Sequence, residues 1–249
     1  MNWKHRLLND TLSVRYYLLT CLGIFSTAGS FLFKYGYVES FQILNAFGNP
    51  KWDWFYLTVT YLGDSLFVCS VISIILAYKK PDDVLTCWIV VHLAGIIIQI
   101  LKQFIFVEWG RPGFVLGLEN IYTAGSPEIY RSFPSGHACT TFSVSLWVAY
   151  MLEKKLFLIG IAASIIASIV AYSRIYLGVH FLGDVFAGGL IGLCFGTIAF
   201  PLAGNFIKNK INKVSPREKM VSHLLFYLGI LGFIASVVKF LIENKLFFS

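Results

Sequence analysis

His180 and Asp184 stand four residues apart, at the junction of two apolar runs. On a helix that spacing puts both side chains on one face. A carboxylate beside an imidazole fixes its tautomer and stabilises its protonated form. The other ring nitrogen is then left as a base, or as a nucleophile that takes up a phosphoryl group. A buried structural His–Asp pair has the same spacing, so the pair alone leaves both readings open.

A second cluster precedes it: Pro134, Ser135, Gly136 and His137, followed by another apolar run. Proline at the first helical position, with glycine close by, marks a helix amino terminus. Such an end offers backbone N–H groups and a positive dipole, and it binds phosphate. Ser135 adds a hydroxyl donor, and Gly136 lets an anion approach the backbone. His137 stands where a general acid would protonate a leaving oxygen. A capped helix start with an incidental histidine fits the same letters. Arg111, Arg131 and Arg174 add cations, with Lys102 at the end of an earlier apolar run. Guanidinium groups match phosphate oxygens in bidentate fashion, whereas a single arginine at an interface commonly just anchors the chain there. Taken together, two histidines, a helix start and several cations describe an oxyanion site.

The elements that must position these groups are membrane spans. Of the 249 residues, 57% are hydrophobic, 17% aromatic and 13% charged, with a mean hydropathy of +0.72. Several apolar runs reach the roughly 20 residues that cross a bilayer. The fold expected is an all-α polytopic transmembrane helix bundle in one membrane domain, 1–249. Spans are predicted at 15–34, 54–77, 85–106, 134–152, 156–174, 179–202 and 221–242. Residues 1–13 read as an amphipathic lead-in, and Val38 to Phe47 as a short interfacial helix. The long connection 107–132 reads as a lid, with Glu108, Glu119 and Glu128 placed to select a headgroup. No cleavable signal peptide is evident, so the first span is expected to stay as an anchor.

Alternate connections carry most of the positive charge: Lys4, Arg6 and Arg15; Lys79 and Lys80; Lys154 and Lys155; then Lys208, Lys210, Lys213, Arg217 and Lys219. Cytoplasmic loops are enriched in lysine and arginine. The amino terminus is therefore expected inside, and both clusters outside, facing each other across one membrane surface. The net charge of +7 belongs to this orientation signal and not to nucleic-acid binding. Glycines 188, 192 and 196 and alanines 163, 167 and 171 form small-residue stripes, which predict close packing of spans five and six. Cys21, Cys69, Cys87, Cys139 and Cys194 lie in apolar runs without a CxxC pair, so neither a zinc site nor a disulfide framework is indicated.

The two clusters resemble the signature of the type 2 phosphatidic acid phosphatase superfamily, shared with vanadium haloperoxidases. Pro134 to His137 match one part. Ser173-Arg174, five residues, His180, three residues and Asp184 match another. The remaining part is Lys, six residues, Arg-Pro; here eight residues separate Lys102 from Arg111-Pro112. Tyr61 to Asp64 also looks like a feature of bacterial members. The resemblance spans about 54–202. It implies a six-helix phosphatase core, to which the span at 221–242 would be an addition. It implies His180 as the nucleophile, Asp184 as its orienting partner and His137 as the acid for the leaving group. Lys102, Arg111, Ser135, Gly136 and Arg174 would hold phosphate, with no metal and no cofactor. The implied enzyme is a lipid phosphatase of the bacterial inner membrane. Its candidate substrates are undecaprenyl pyrophosphate, phosphatidylglycerol phosphate, phosphatidic acid and lipid A. A lipid phosphotransferase of the same fold is the alternative, and a transporter a more distant one. No nucleic-acid partner is expected.

Overall fold

The computed structural model describes residues 12–125, 129–152, 157–211 and 215–243. Nine α-helices are present among them, joined by short 3₁₀ turns, and no strand occurs among the described residues. They are α1 Leu12–Asn45, α2 Asp53–Val59, α3 Ser65–Leu76, α4 Pro81–Ile100, α5 Pro112–Leu116, α6 Gly136–Met151, α7 Phe157–Tyr176, α8 Leu182–Ile211 and α9 Ser215–Glu243. Residues 1–11 of the predicted lead-in at 1–13, with Glu128, Lys154, Lys155 and Lys213, lie outside the described residues.

Among the described residues, five helices are long and apolar enough to cross a membrane: α1, α4 with its extension to Ile105, α7, α8 and α9. The predicted span at 54–77 is instead a bent pair. Its two halves, Pro50–Gly63 and Ser65–Leu76, meet at 73°. The break has a local cause. Asp64 leaves the helix with φ −79° and ψ 118°, and its carboxylate accepts from Phe67 N–H to cap α3. The first span and the interfacial helix are, by contrast, one helical run divided at Gly36. That residue has φ 73° and ψ −175°, a conformation open to glycine at little cost.

Helix α6 is the centre of the bundle. Most of its side chains are buried, and α4, α7 and α8 pack around it. Several of its polar groups are satisfied within the protein. Ser143 Oγ donates to Gly192 O (3.1 Å), and Tyr17 OH donates to Phe142 O (2.9 Å). The helix begins at Gly136, two residues later than predicted. Ser135 is its N-cap, with an extended backbone and Oγ accepting from Ala138 N–H. Pro134 therefore precedes the cap instead of opening the first turn.

The small-residue stripes pair differently from the prediction. A Cβ at Gly188 would overlap Ser135 O, one at Gly192 would overlap Cys139 O, and one at Gly196 would press on Leu146 at 3.2 Å. The glycine stripe of α8 thus lies against α6. Helix α7 packs mainly on α1 and α6, and a Cβ at Gly160 would overlap Ser13 O of α1. A stripe of small residues marks a face that admits a close neighbour but carries no label for the partner.

The last helix, α9, packs chiefly on α3. Gly229 faces Ser73 and Gly232 faces Ser70, while Phe240 meets the ring of Tyr61 edge-on at 4.9 Å. Large apolar side chains such as Leu22, Phe33, Leu202 and Phe206 point outward, as lipid-facing positions do.

Candidate active site

The five-residue connection between α7 and α8 shapes the first cluster. Gly178 turns it with φ 73°. The N–H groups of Val179 and His180 both bond to Arg174 O at 3.1 Å. His180 is thereby buried beside Asp184 at the start of α8, with Nδ1 3.2 Å from Oδ2. That contact engages Nδ1 and leaves Nε2 for chemistry.

Asp184 is a crowded acceptor. Its Oδ2 also takes the N–H of Phe181 (2.9 Å) and the hydroxyl of Ser132 (2.5 Å). Its Oδ1 takes the hydroxyl of Tyr37, which reaches in from α1. Its backbone carbonyl accepts Ser135 N–H at 3.0 Å. This last bond joins the two sequence clusters directly. Ser132 and Tyr37 were not among the candidates. Their partner is 52 and 147 residues away, and no spacing rule reaches that far. For Tyr37 a faint signal existed: glycine precedes it, and glycine also stands at 183, where a Cβ would overlap its ring.

The predicted cations converge. Lys102, Arg111 and Arg174 are each less than a tenth exposed. Arg111 is held by backbone carbonyls: Nε donates to Tyr130 O (2.9 Å) and Nη1 to Val179 O (3.1 Å). Arg174 Nη1 donates to Thr60 Oγ1 at 2.8 Å. Lys102 lies on a π-helical turn, Leu101–Ile105, closed by Phe106 N–H to Leu101 O. A π turn takes one more residue than an α turn, so it absorbs part of the long spacing to Arg111. Burial pushes the imidazole of His180 well below its ordinary range. Arg111, Lys102 and Arg174, with His137, push it the same way. All three cations and both histidines therefore share one electrostatic site. Arg131 is exposed, in a left-handed conformation with φ 58°.

Ser135 and Gly136 sit at the amino terminus of α6. The Ser135 hydroxyl oxygen accepts the cap bond, which leaves its hydrogen to donate elsewhere. A Cβ at Gly136 would meet only Ile98, at 3.8 Å, so the helix end is uncrowded. His137, in the first turn, packs on the 3₁₀ turn Thr60–Gly63. That turn thus supports both His137 and, through Thr60, Arg174.

The loop expected as a lid is tied down. Asn45, at the end of α1, donates to Tyr122 O (3.0 Å) and Ile175 O (2.9 Å) and accepts Tyr122 N–H (2.8 Å). Arg111 N–H bonds to Ile129 O, and Ser132 N–H to Trp109 O. Glu108 and Glu119 remain exposed on its surface.

The PAP2 superfamily matches this sequence over residues 83–208. The chain belongs to that superfamily. As a PAP2 protein it is a multi-pass membrane phosphatase. Phosphatidylglycerophosphatase B of Bacillus subtilis is 36% identical over 149 residues, covering 54% of this chain and 67% of that protein. A lipid A 4'-phosphatase of Porphyromonas gingivalis is 26% identical over 168 residues, covering 64% of this chain and 70% of that protein. An undecaprenyl-diphosphatase of Sulfolobus acidocaldarius is 24% identical over 155 residues, covering 62% and 72% respectively. The crystal structure of Aquifex aeolicus LpxE superposes with a TM-score of 0.54 at 30% identity, covering 66% of this chain and 93% of that one. A transmembrane phosphatidylglycerolphosphate phosphatase from Bacillus subtilis shares the fold. Its TM-score is 0.51 at 23% identity, over 85% of this chain and 98% of that one. The matched PAP2 segment holds every predicted site residue, while Tyr37, Thr60 and Gly63 lie before it.

Proposed function

We propose that this PAP2 phosphatase removes phosphate from a membrane lipid phosphate or pyrophosphate through a phospho-histidine at His180. The observation that carries this reading is the buried contact of His180 Nδ1 with Asp184, set among Arg111, Arg174 and Lys102. In the first step Nε2 of His180 attacks phosphorus and the bond to the lipid oxygen breaks. His137 must carry a proton for this step, and it gives that proton to the leaving oxygen. Arg111, Arg174, Lys102, the Ser135 hydroxyl and the Gly136 N–H hold the phosphoryl oxygens. In the second step water attacks the same phosphorus, His137 takes the water proton, and the nitrogen–phosphorus bond breaks. Both histidines return to their starting protonation.

No metal takes part in this scheme. The fixed cations and the helix end supply the charge that a metal would otherwise supply. Treatment with a chelator should leave turnover intact.

We place the enzyme in the bacterial cytoplasmic membrane with its amino terminus inside and this site outside. Arg15, Lys79, Lys80, Lys208, Arg217 and Lys219 lie at alternate connections, as the lysine and arginine bias requires of the cytoplasmic side. The relatives' names offer the substrate panel: phosphatidylglycerol phosphate, lipid A and undecaprenyl pyrophosphate, with phosphatidic acid added.

The test is phosphate release from that panel by purified protein, with and without an acceptor lipid. Wild type should release phosphate with no acceptor present, which separates hydrolysis from transfer. His180→Ala and His137→Ala should each lose activity by orders of magnitude. Undiminished release by His180→Ala would sink the mechanism.

A further inference from the structure

Tyr37 stands outside the matched PAP2 segment, yet it touches the centre of the site. Its hydroxyl donates to Oδ1 of Asp184, the carboxylate oxygen that His180 does not use. Two glycines make this reach possible. Gly36, with φ 73° and ψ −175°, breaks α1 immediately before the tyrosine. Gly183 leaves the space that the ring occupies, since a Cβ there would overlap it. The ring is also braced, against Phe181 at 4.7 Å and edge-on to Trp109 at 5.8 Å. Trp109 O in turn accepts the N–H of Ser132, whose hydroxyl holds Oδ2. Both carboxylate oxygens are thus fixed by groups outside α8, and the plane of the carboxylate is set.

We propose that Tyr37 is a positioning residue for the phosphatase reaction, its hydroxyl holding Asp184 in the orientation that presents His180 for attack. The proposal rests on the reading of His180 as the nucleophile. A carboxylate with only one oxygen anchored can rotate, and the imidazole it holds then loses its fixed direction. Small misplacements of a nucleophile have large effects on rate. Helix α1 is in this view part of the catalytic apparatus and not only a membrane anchor.

The role has a signature that ring packing lacks. Removing the hydroxyl concentrates negative charge on Asp184, which strengthens its hold on the His180 N–H and makes that imidazole more basic. The other groups that face the pair are unchanged: Ser132 and Arg111 from the loop, Lys102 beyond α4, His137 from α6 and Arg174 from α7.

The test uses full-length protein with phosphatidylglycerol phosphate and phosphatidic acid in detergent micelles. Tyr37→Phe keeps the ring and should lower kcat about tenfold, with KM little changed. The acid limb of its pH–rate profile should move to higher pH. In an Asp184→Asn background the same substitution should cost nothing further, because the two act as a unit. Fluorotyrosine at position 37, a stronger donor of the same shape, should move the limb to lower pH. It also serves if Tyr37→Phe folds poorly. Wild-type kcat and an unmoved limb in both variants, or an equal loss in the Asp184→Asn background, would overturn the role of Tyr37 alone. Absence of phosphate release by the wild type from these two lipids and also from lipid A and undecaprenyl pyrophosphate would overturn this role and the proposed function together.

Discussion

A Cβ added to Gly63 would lie 2.8 Å from the Cβ of His137 and 3.0 Å from its ring Cδ2. The 3₁₀ turn and the histidine share a surface with no room for a methyl group. Gly63→Ala should therefore move His137 by a fraction of an ångström and lower kcat by about 10–100-fold, since small displacements at a catalytic group are costly. Steady-state kinetics on a lipid phosphate, alongside a thermal melt in detergent, checks this. An unchanged kcat would show that the turn gives way instead.

The acid side of the pH profile follows from His180. Its imidazole is held well below the ordinary value of about 6.5 by burial first and then by Arg111, Lys102 and Arg174. The nucleophile must be neutral. Rate is thus retained as pH falls past the ordinary value and lost only through the depressed one. Arg111→Gln removes the cation that acts most strongly on His180, so its acid limb should shift to higher pH. Profiles of kcat/KM from pH 4 to 8 read both effects.

Arg111→Lys should not substitute for arginine. The guanidinium donates to Tyr130 O and to Val179 O at once, and a single ammonium cannot span both carbonyls in that geometry. A loss of about 10-fold or more in kcat/KM is expected, with part of it in KM because phosphate binding weakens.

Gly188→Ala tests the close approach of α8 to α6. The added methyl would overlap Ser135 O, which belongs to the N-cap of α6. Overpacking of this kind costs ~1–3 kcal/mol. The variant should melt earlier and also lose activity, whereas Gly95→Ala, with nothing within 4 Å of its Cβ position, should do neither.

Asp64 and Lys239 separate a cap from a surface ion pair. Asp64 caps α3 through Phe67 N–H and also meets Lys239 of α9 at 3.2 Å. Loss of an N-cap costs ~1 kcal/mol, while a half-exposed lysine adds little. Asp64→Ala should lower the melting temperature clearly more than Lys239→Met does.

The pairing of His180 with Asp184 was legible from the spacing, but not for the helical reason expected: His180 lies in the connection before α8, and Asp184 Oδ2 reaches back to it and to Phe181 N–H as the chain enters the helix. The convergence of Arg111 and Arg174 was legible because charge counting put their connections on one face. Long-range partners were not. Ser132 and Tyr37 find Asp184 through folding alone, and neither has a local pattern. The stripe of Gly188, Gly192 and Gly196 announced a close neighbour but not that α6 was the one. The bend at Asp64 hid inside an apolar run, since hydropathy does not register where a helix is capped. Pro134 misled by two residues, because Ser135 makes the better cap and shifts the first turn past the proline.

Asn45 has a practical consequence. One buried side chain at the end of α1 ties together the loop at Tyr122 and the end of α7 at Ile175. Those two segments carry Arg111, Arg174 and His180 to each other, and both lie within the matched stretch 83–208, whereas Asn45 does not. Anyone trimming the chain to that stretch for expression would keep every signature letter and remove the fastener. The smallest useful fragment for biochemistry must reach back at least to α1.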